Sequence, residues 1–460
     1  MCREAFSAGG SMFLFRLYQS LFLLILSFTS LIAQSQHDIL KKMIDSVSAV
    51  RLQTHIDKLQ RAGGHWSRVN FTPGNDSAVK YVFNEFKKIP GLTSVSLDTF
   101  YIIGAQPPYD TRPLFNVVAK VEGKKNRNNV VVIGAHIDCS ASRMDSALWY
   151  GQWNTMHVPG ADDNASGVAG VLELARLLSD TTFAFSNDYT IVFVAFGAEE
   201  AGIVYPGYEI GSLHYASKAK EQGTNVVAMA SLDMIGFNDL HNMYLNIAAD
   251  EQSQWLGKHI VAMNDSFDLG ILLNAPPFAY GRWSDHAPFW DQQFPAVCII
   301  ECSPPWNDNE YYRENVFYHT SSDTLGTLNM NLVKKAVQLT LASFATLTSP
   351  AVSVRNLNEV HPAEFALEQN FPNPFNPSTE IRFKIPLRSN GMLPESRNGT
   401  RVTLKVFDVL GREIATVVDD MKEPGTYSVR FDAASNPSGV YFYRMTGENI
   451  SLSKKMLLLR

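Results

Sequence analysis

The sequence predicts a three-layer α/β/α domain on a mostly parallel, mixed central sheet, followed by a small C-terminal all-β sandwich. Two observations predict the first part. Between about residues 115 and 302, apolar runs rich in Val, Ile and Phe alternate with stretches of helical period. Those runs show little polar alternation, the pattern of strands buried on both faces of a sheet. The sandwich follows from a third. Past a Pro- and Asn-rich boundary at roughly 349–374, short strand-like segments are separated by turn residues.

Taken in order, Arg3 and Arg16 precede the apolar run Leu21 to Leu26, and Ser30–Leu31–Ile32–Ala33 then meets the polar Gln34–Ser35–Gln36. A charged start, a short apolar core and a small residue before a polar stretch make a secretory signal peptide at 1–33. The run is short for a membrane span, and an uncleaved anchor is the alternative. No later segment reads as a transmembrane helix. Residues 37–62 place Ile39, Leu40, Met43, Ile44, Val47, Ile56 and Leu59 at helical spacing, giving one or two amphipathic helices. A helix is expected at Asp76 to Lys88 and a strand near Val95 to Ile102. The buried strands are Asn116–Val121, Val130–Ala135, Thr190–Phe196, Val226–Leu232 and Ala296–Ile300. Helices are expected at Gly167 to Leu178, Gln252 to Asn264 and, closing the domain, Met330 to Leu347. In the C-terminal part Glu380–Pro386, Arg401–Asp408, Thr426–Phe431 and Gly439–Met445 read as strands. The domains are therefore 34–348 for the α/β part, 349–366 for a linker and 367–460 for the sandwich.

A net charge of −6 argues against nucleic acid as a partner, because phosphate binding needs a basic surface. Of the four cysteines, Cys2 falls in the signal. Cys139, Cys298 and Cys302 lack zinc-type spacing; a Cys298–Cys302 pair and buried thiols both remain open.

The ionisable residues are informative because of where they fall. Val130 to Ala135 runs straight into His136 and Asp138, Ile191 to Phe196 into Glu199–Glu200, and Val226 to Leu232 into Asp233. Three buried strands thus deliver metal-capable side chains at their carboxyl ends, the edge at which open α/β sheets form sites. Asp162–Asp163 follows a Pro159–Gly160 turn and precedes an apolar helix. Asn164 or Ser166 capping that helix accounts for part of the segment, but not for two adjacent acids aimed at the same edge. Glu199–Glu200 divides naturally into a metal ligand and a neighbouring general base. His319 lies in a polar loop before the last helix.

With these residues in view, about 50–348 resembles the di-zinc aminopeptidases of metallopeptidase clan MH. The shared motifs are His136-x-Asp138, Gly160–Ala161–Asp162–Asp163–Asn164–Ala165–Ser166–Gly167, Ala198–Glu199–Glu200, Leu232–Asp233–Met234, Ser284–Asp285–His286 and His319…Asp323. The resemblance implies two Zn2+ ions. Asp163 would bridge them, His136 and Asp233 would complete one, and Glu200 and His319 the other, with Asp162 not a ligand. Glu199 would be general base and then acid, and Asp138 would orient His136. Asp285 and Asp323 would play supporting parts, and Tyr280 is the candidate hydrogen-bond donor to the oxyanion. Peptides or proteins would be the substrates, with release of N-terminal amino acids the expected reaction. Arg282, close to Ser284–Asp285–His286, keeps a carboxypeptidase alternative, and glutaminyl cyclisation is a second enzyme class on the same fold. A receptor or adhesion role, after loss of ligands, is the non-enzymatic alternative. The segment Cys139 to Val158, with Trp149, Trp153, Met156 and His157, and the stretch Ile203 to Tyr208 are expansions of the pattern. They wall a substrate pocket or form a small core of their own.

The C-terminal part resembles the sorting domain of type IX secretion substrates. It does so through Leu367–Glu368–Gln369–Asn370–Phe371–Pro372–Asn373–Pro374, Val406–Phe407–Asp408–Val409–Leu410–Gly411–Arg412, Ser438–Gly439–Val440–Tyr441 and Lys454–Lys455–Met456–Leu457. That resemblance implies export by a dedicated secretion machinery to the exterior or the outer cell surface. A generic β-sandwich for carbohydrate binding or spacing is the alternative.

Overall fold

The Val-, Ile- and Phe-rich runs form the middle of a mixed sheet that has eight strands among the described residues. The structure is a computed structural model. It describes residues 36–459 apart from 65, 239, 241, 275, 277, 279, 303–307, 350–364, 386–399, 423–424 and 448–449. The expected signal peptide and nearly all of the expected linker lie outside the described residues. Two compact units are present, Met1–Val354 and Arg355–Arg460.

In the first unit the strands are β1 (Ser94–Phe100), β2 (Leu114–Val121), β3 (Asn126–His136), β4 (Tyr189–Phe196), β5 (Asn225–Asp233), β6 (Tyr244–Ala249), β7 (Leu272–Leu273) and β8 (Ala296–Ile300). Their order is β1-β2-β4-β3-β5-β8-β6-β7. The central pairs β3–β4, β3–β5 and β5–β8 are parallel, whereas β1–β2, β2–β4 and β6–β8 are antiparallel. Alternate residues of β3 feed two cores, as period-two geometry requires. Val131, Ile133 and Ala135 pack with the helices Ala49–Gln60, Gly167–Leu178 and Met330–Thr348. Val130 and Val132 pack on the other face with Ala216, Ala219, Phe289 and Trp290. Helices therefore cover both faces.

Two elements of this layer carry no legible sequence signal. The helix Ile210–Glu221 buries only Gly211, Ser212, Ala216 and Ala219, residues too small to make an apolar stripe. Strand β6 is recruited to the sheet by pairing antiparallel to β8. Cys139, Cys298 and Cys302 are buried and form no disulfide among the described residues. No described helix is long and apolar enough to cross a membrane.

The second unit is all-β. Ala366–Leu367, Ser378–Ile385 and Gly425–Asp432 make one sheet, and Thr400–Phe407, Glu413–Lys422, Gly439–Gly447 and Ile450–Leu458 make another. Their inner faces share a core that includes Ile381, Phe383, Val402, Leu404, Tyr443 and Met456.

Candidate metal centre

Parallel pairing aligns the ends of β3, β4 and β5. His136 is in register with Phe196, and Gly134 with Ser231, so His136, Glu199–Glu200 and Asp233 emerge at one edge. His136 Nε2 lies 3.1 Å from Asp163 Oδ1 and 3.3 Å from Asp233 Oδ1. His319 Nε2 lies 3.0 Å from Asp163 Oδ2 and 2.8 Å from Glu200 Oε1. Two triads result, His136–Asp163–Asp233 and Asp163–Glu200–His319, each with its ligand atoms within 4.8 Å of one another. Asp163 belongs to both and gives one carboxylate oxygen to each. Glu199 belongs to neither; its Oε2 stands 3.9 Å from His136 Nε2.

Asp162 faces elsewhere. Its Oδ1 accepts from Gly236 N (2.8 Å), its Oδ2 from Asn315 Nδ2 (3.2 Å), and its carboxyl meets that of buried Glu301. Burial pushes the Asp162 carboxyl up to about 6 and holds Glu301 well above the usual range.

Local structure explains how one acid of the pair is singled out. Gly160 has φ 54°, and a side chain there would press on Asp163 O and Cys139. Asp323 then accepts the next N–H groups, Asp162 N at 2.9 Å and Asp163 N at 3.0 Å. Asn164 Oδ1 accepts from Gly167 N (2.9 Å), which starts the following helix. Left-handed residues turn the chain beside the ligands: Ala198 (φ 54°), Met234 (φ 47°) and His319 (φ 55°). Such conformations cost about 1–3 kcal/mol each and persist where surroundings hold them. Here the carbonyls of Ala198, Met234 and His319 accept from Ile210 N (2.8 Å), Glu301 N (2.9 Å) and Arg143 N (3.1 Å).

Arg68 had no motif to mark it, yet it joins these pieces. Its guanidinium is fully buried and donates to Ile137 O (2.8 Å), Gly160 O (2.7 Å) and Pro159 O, tying the end of β3 to the turn before Asp163. Arg68→Leu would leave these three carbonyls without their donor, at about 1–3 kcal/mol for each buried group left unsatisfied. We expect a loss of at least about 3 kcal/mol, read as a lower urea midpoint at unchanged m.

The charge balance of the cluster calls for cations. Although burial opposes it, Glu199 and Asp233 raise His136 well above its ordinary range, and Glu200 and Asp163 push His319 up to about 10. Against the cost of burial, hydrogen bonds from His136 and His319 hold Asp163 well below the carboxylate range. Burial raises Glu199 well above that range and Glu200 to about 7. A divalent ion in each triad would take the place of the imidazolium protons. Among the described residues His136 Nδ1 has no hydrogen-bond partner, and Asp138 Oδ1 faces it at 3.6 Å. Asp138 instead accepts from Glu199 N (3.2 Å) and Glu200 N (3.0 Å).

Asp285 is fully buried beside this cluster, and Ser212 is the neighbour whose side chain favours its charged form. Tyr280 and Arg282 lie to one side. Tyr280 is 63% exposed and stacks on Trp290, while Arg282 pairs with Asp291 at 2.7 Å. A phenol does stand at the cluster, that of Tyr318. Its ring stacks on His319 at 3.8 Å, and burial together with Glu200, Asp163, Glu199 and Asp233 raises its hydroxyl far above the usual value. Its place next to His319 in sequence was the available signal. His157, outside both triads, meets Trp66 edge-on.

Residues 116–344 match Peptidase family M28. The α/β unit belongs to peptidase family M28. Residues 369–459 match the secretion system C-terminal sorting domain. The M28 match contains every triad residue, whereas Arg68 lies before it. A probable zinc metalloprotease of Pyrenophora teres f. teres is 30% identical over 214 residues, 45% of this chain and 41% of that protein. Leucine aminopeptidase 1 of Ajellomyces capsulatus is 27% identical over 310 residues, 65% of this chain and 71% of that protein. The chain thus spans well under two thirds of the first of these relatives. Among solved structures, the Legionella pneumophila aminopeptidase LapA superposes with TM-score 0.52 at 22% identity, over 67% of this chain and 74% of that one. Porphyromonas gingivalis glutaminyl cyclase does so with TM-score 0.51 at 18% identity, over 65% and 97%. At these identities the M28 unit shares a fold with both.

Proposed function

We propose that this chain is an exported zinc aminopeptidase of the M28 family. The observation that carries the reading is the pair of triads sharing Asp163, with the unligated carboxylate of Glu199 beside them. The donor set of imidazole and carboxylate suits zinc. His136, Asp163 and Asp233 would hold one ion, and Asp163, Glu200 and His319 the other. Zinc bound there supplies Lewis acidity and a water acidic enough to be deprotonated near neutral pH. Glu199 takes the proton of the attacking water and returns it to the leaving amine. Tyr318, whose ring stacks on His319, is our candidate for donating to the oxyanion in place of the largely exposed Tyr280.

The preference for N-terminal release rests on charge. Arg282 is already engaged by Asp291 and Tyr280, which disfavours it as a receptor for a substrate carboxylate. The half-buried carboxyl of Glu209, which burial pushes up to about 8, is available to ionise against a free ammonium group, and one relative bears the name leucine aminopeptidase. We read the second unit as the export signal for the type IX machinery, which puts the enzyme outside the cell or on its outer surface. A panel of aminoacyl fluorogenic amides set against N-blocked dipeptides tests the reading. Free-amine substrates are expected to be cleaved, blocked ones to be refused, and a zinc chelator to stop the reaction. Release only from blocked substrates would refute N-terminal specificity.

A further inference from the structure

The two expansions of the α/β unit share one satellite core behind Glu200, and the second of them supplies Tyr205 to a closed ring of hydrogen bonds. Tyr205 Oη donates to Glu200 O at 2.7 Å. Asn70 Nδ2 donates to Tyr205 Oη at 2.8 Å and to Asp138 Oδ2 at 2.5 Å. Asp138 Oδ2 in turn accepts from Glu200 N at 3.0 Å. Both sides of the Glu200 residue, N–H and C=O, are therefore fixed through one asparagine amide. The amide's orientation follows from its partners. Both of its protons are used, and its oxygen faces Asn75 Nδ2 at 3.5 Å.

The ring is buried, with Tyr205 5%, Asn70 3% and Asp138 0% exposed. It is also supported from outside. Tyr205 meets Phe71 edge-on, Phe71 packs on Tyr109, and Tyr109 packs on Trp153 of the Cys139–Val158 expansion. Trp149 and Trp153 are buried in the same satellite core as Val204 and Tyr205. The tryptophans thus act as a buttress.

We propose that Tyr205 and Asn70 are positioning residues for the metal centre, and that the expansion Ile203–Tyr208 serves to bring the Tyr205 hydroxyl to Glu200. With its main chain locked at both ends, Glu200 keeps only side-chain torsions, so its carboxylate is held at His319 before any ion arrives. Through Asp138 the same ring reaches Glu199 N at 3.2 Å and faces His136 Nδ1, linking base, ligand and both triads. Groups that fix a ligand from behind typically change metal affinity or activity by about ten- to a hundredfold.

This inference rests on the metal-centre reading, and the test separates the two. Tyr205→Phe keeps the ring packing and deletes only the hydroxyl; Tyr109→Phe removes a hydroxyl from the same aromatic cluster outside the ring. Zinc and cobalt affinities are measured by calorimetry, with the visible spectrum of the cobalt form and steady-state kinetics alongside. Tyr205→Phe is expected to weaken binding of one ion about tenfold or more, to alter the cobalt spectrum and to lower kcat with KM little changed. Tyr109→Phe is expected to match the wild type. Should Tyr205→Phe be too unstable to purify, Asn70→Ser, which cuts the same ring, carries the same expectations. Wild-type affinity, spectrum and kcat in the Tyr205→Phe variant, or equal losses in both tyrosine variants, would overturn the proposal. A wild-type protein that takes up no metal would instead overturn the metal-centre reading itself.

Discussion

Glu199→Gln is expected to take up zinc like the wild type and to lose about a hundred- to ten-thousandfold in kcat, the span typical of a general base. The carboxylate belongs to neither triad, so replacing it with an isosteric amide removes no ligand. What it removes is the only site-facing carboxylate among the described residues of the 198–200 turn that is not also needed by an ion. The backbone on either side stays clamped, because Asp138 accepts from Glu199 N and Glu209 N donates to Glu199 O at 2.8 Å. Metal content by elemental analysis together with kcat decides the matter. A variant that is fully loaded and still fast would sink the mechanism.

Asp163→Asn should produce the second large effect, loss of metal from both triads together. One carboxylate spans His136 Nε2 at 3.1 Å and His319 Nε2 at 3.0 Å, and an amide can offer only one oxygen to that span. Wild-type protein should gain about 4 kcal/mol of stability when free zinc is a thousandfold above Kd. In Asp163→Asn that gain should largely vanish, and activity with it. Asp162→Asn is the contrast, since its carboxyl is occupied by Gly236 N, Asn315 and Glu301 rather than by the histidines. Thermal melts with and without zinc distinguish the two. Equal zinc stabilisation in Asp163→Asn and wild type would contradict the shared-ligand geometry.

The strands and the residues at their ends were legible for one reason. Burial on two faces leaves a continuous apolar run, and the next residue must leave the sheet at a known edge. Thus the expected helix Gly167 to Leu178 and strand Ala296–Ile300 appear with those bounds, and β3 and β5 end on His136 and Asp233. Elements built from small or solvated residues gave no such signal. The helix Ile210–Glu221 is one, and Glu413–Lys422, a strand that buries only Val418 among its ten residues, is another.

By itself the sequence determined the layer order, the β-rich second unit and the strand-end address of the ionisable residues. All three follow from local periodicity. Only the tertiary structure decided which partner each of those residues faces. Asp162 turns to Glu301 while Asp163 turns to two histidines, and Tyr318 stands over His319 while Tyr280 faces solvent. Arg68 crosses to the Asp163 turn, and Asn70 meets Asp138 and Tyr205 across 68 and 135 residues of chain. Contacts of that span leave no period in the sequence, because they are made by loop residues whose direction is set only when the sheet assembles around them.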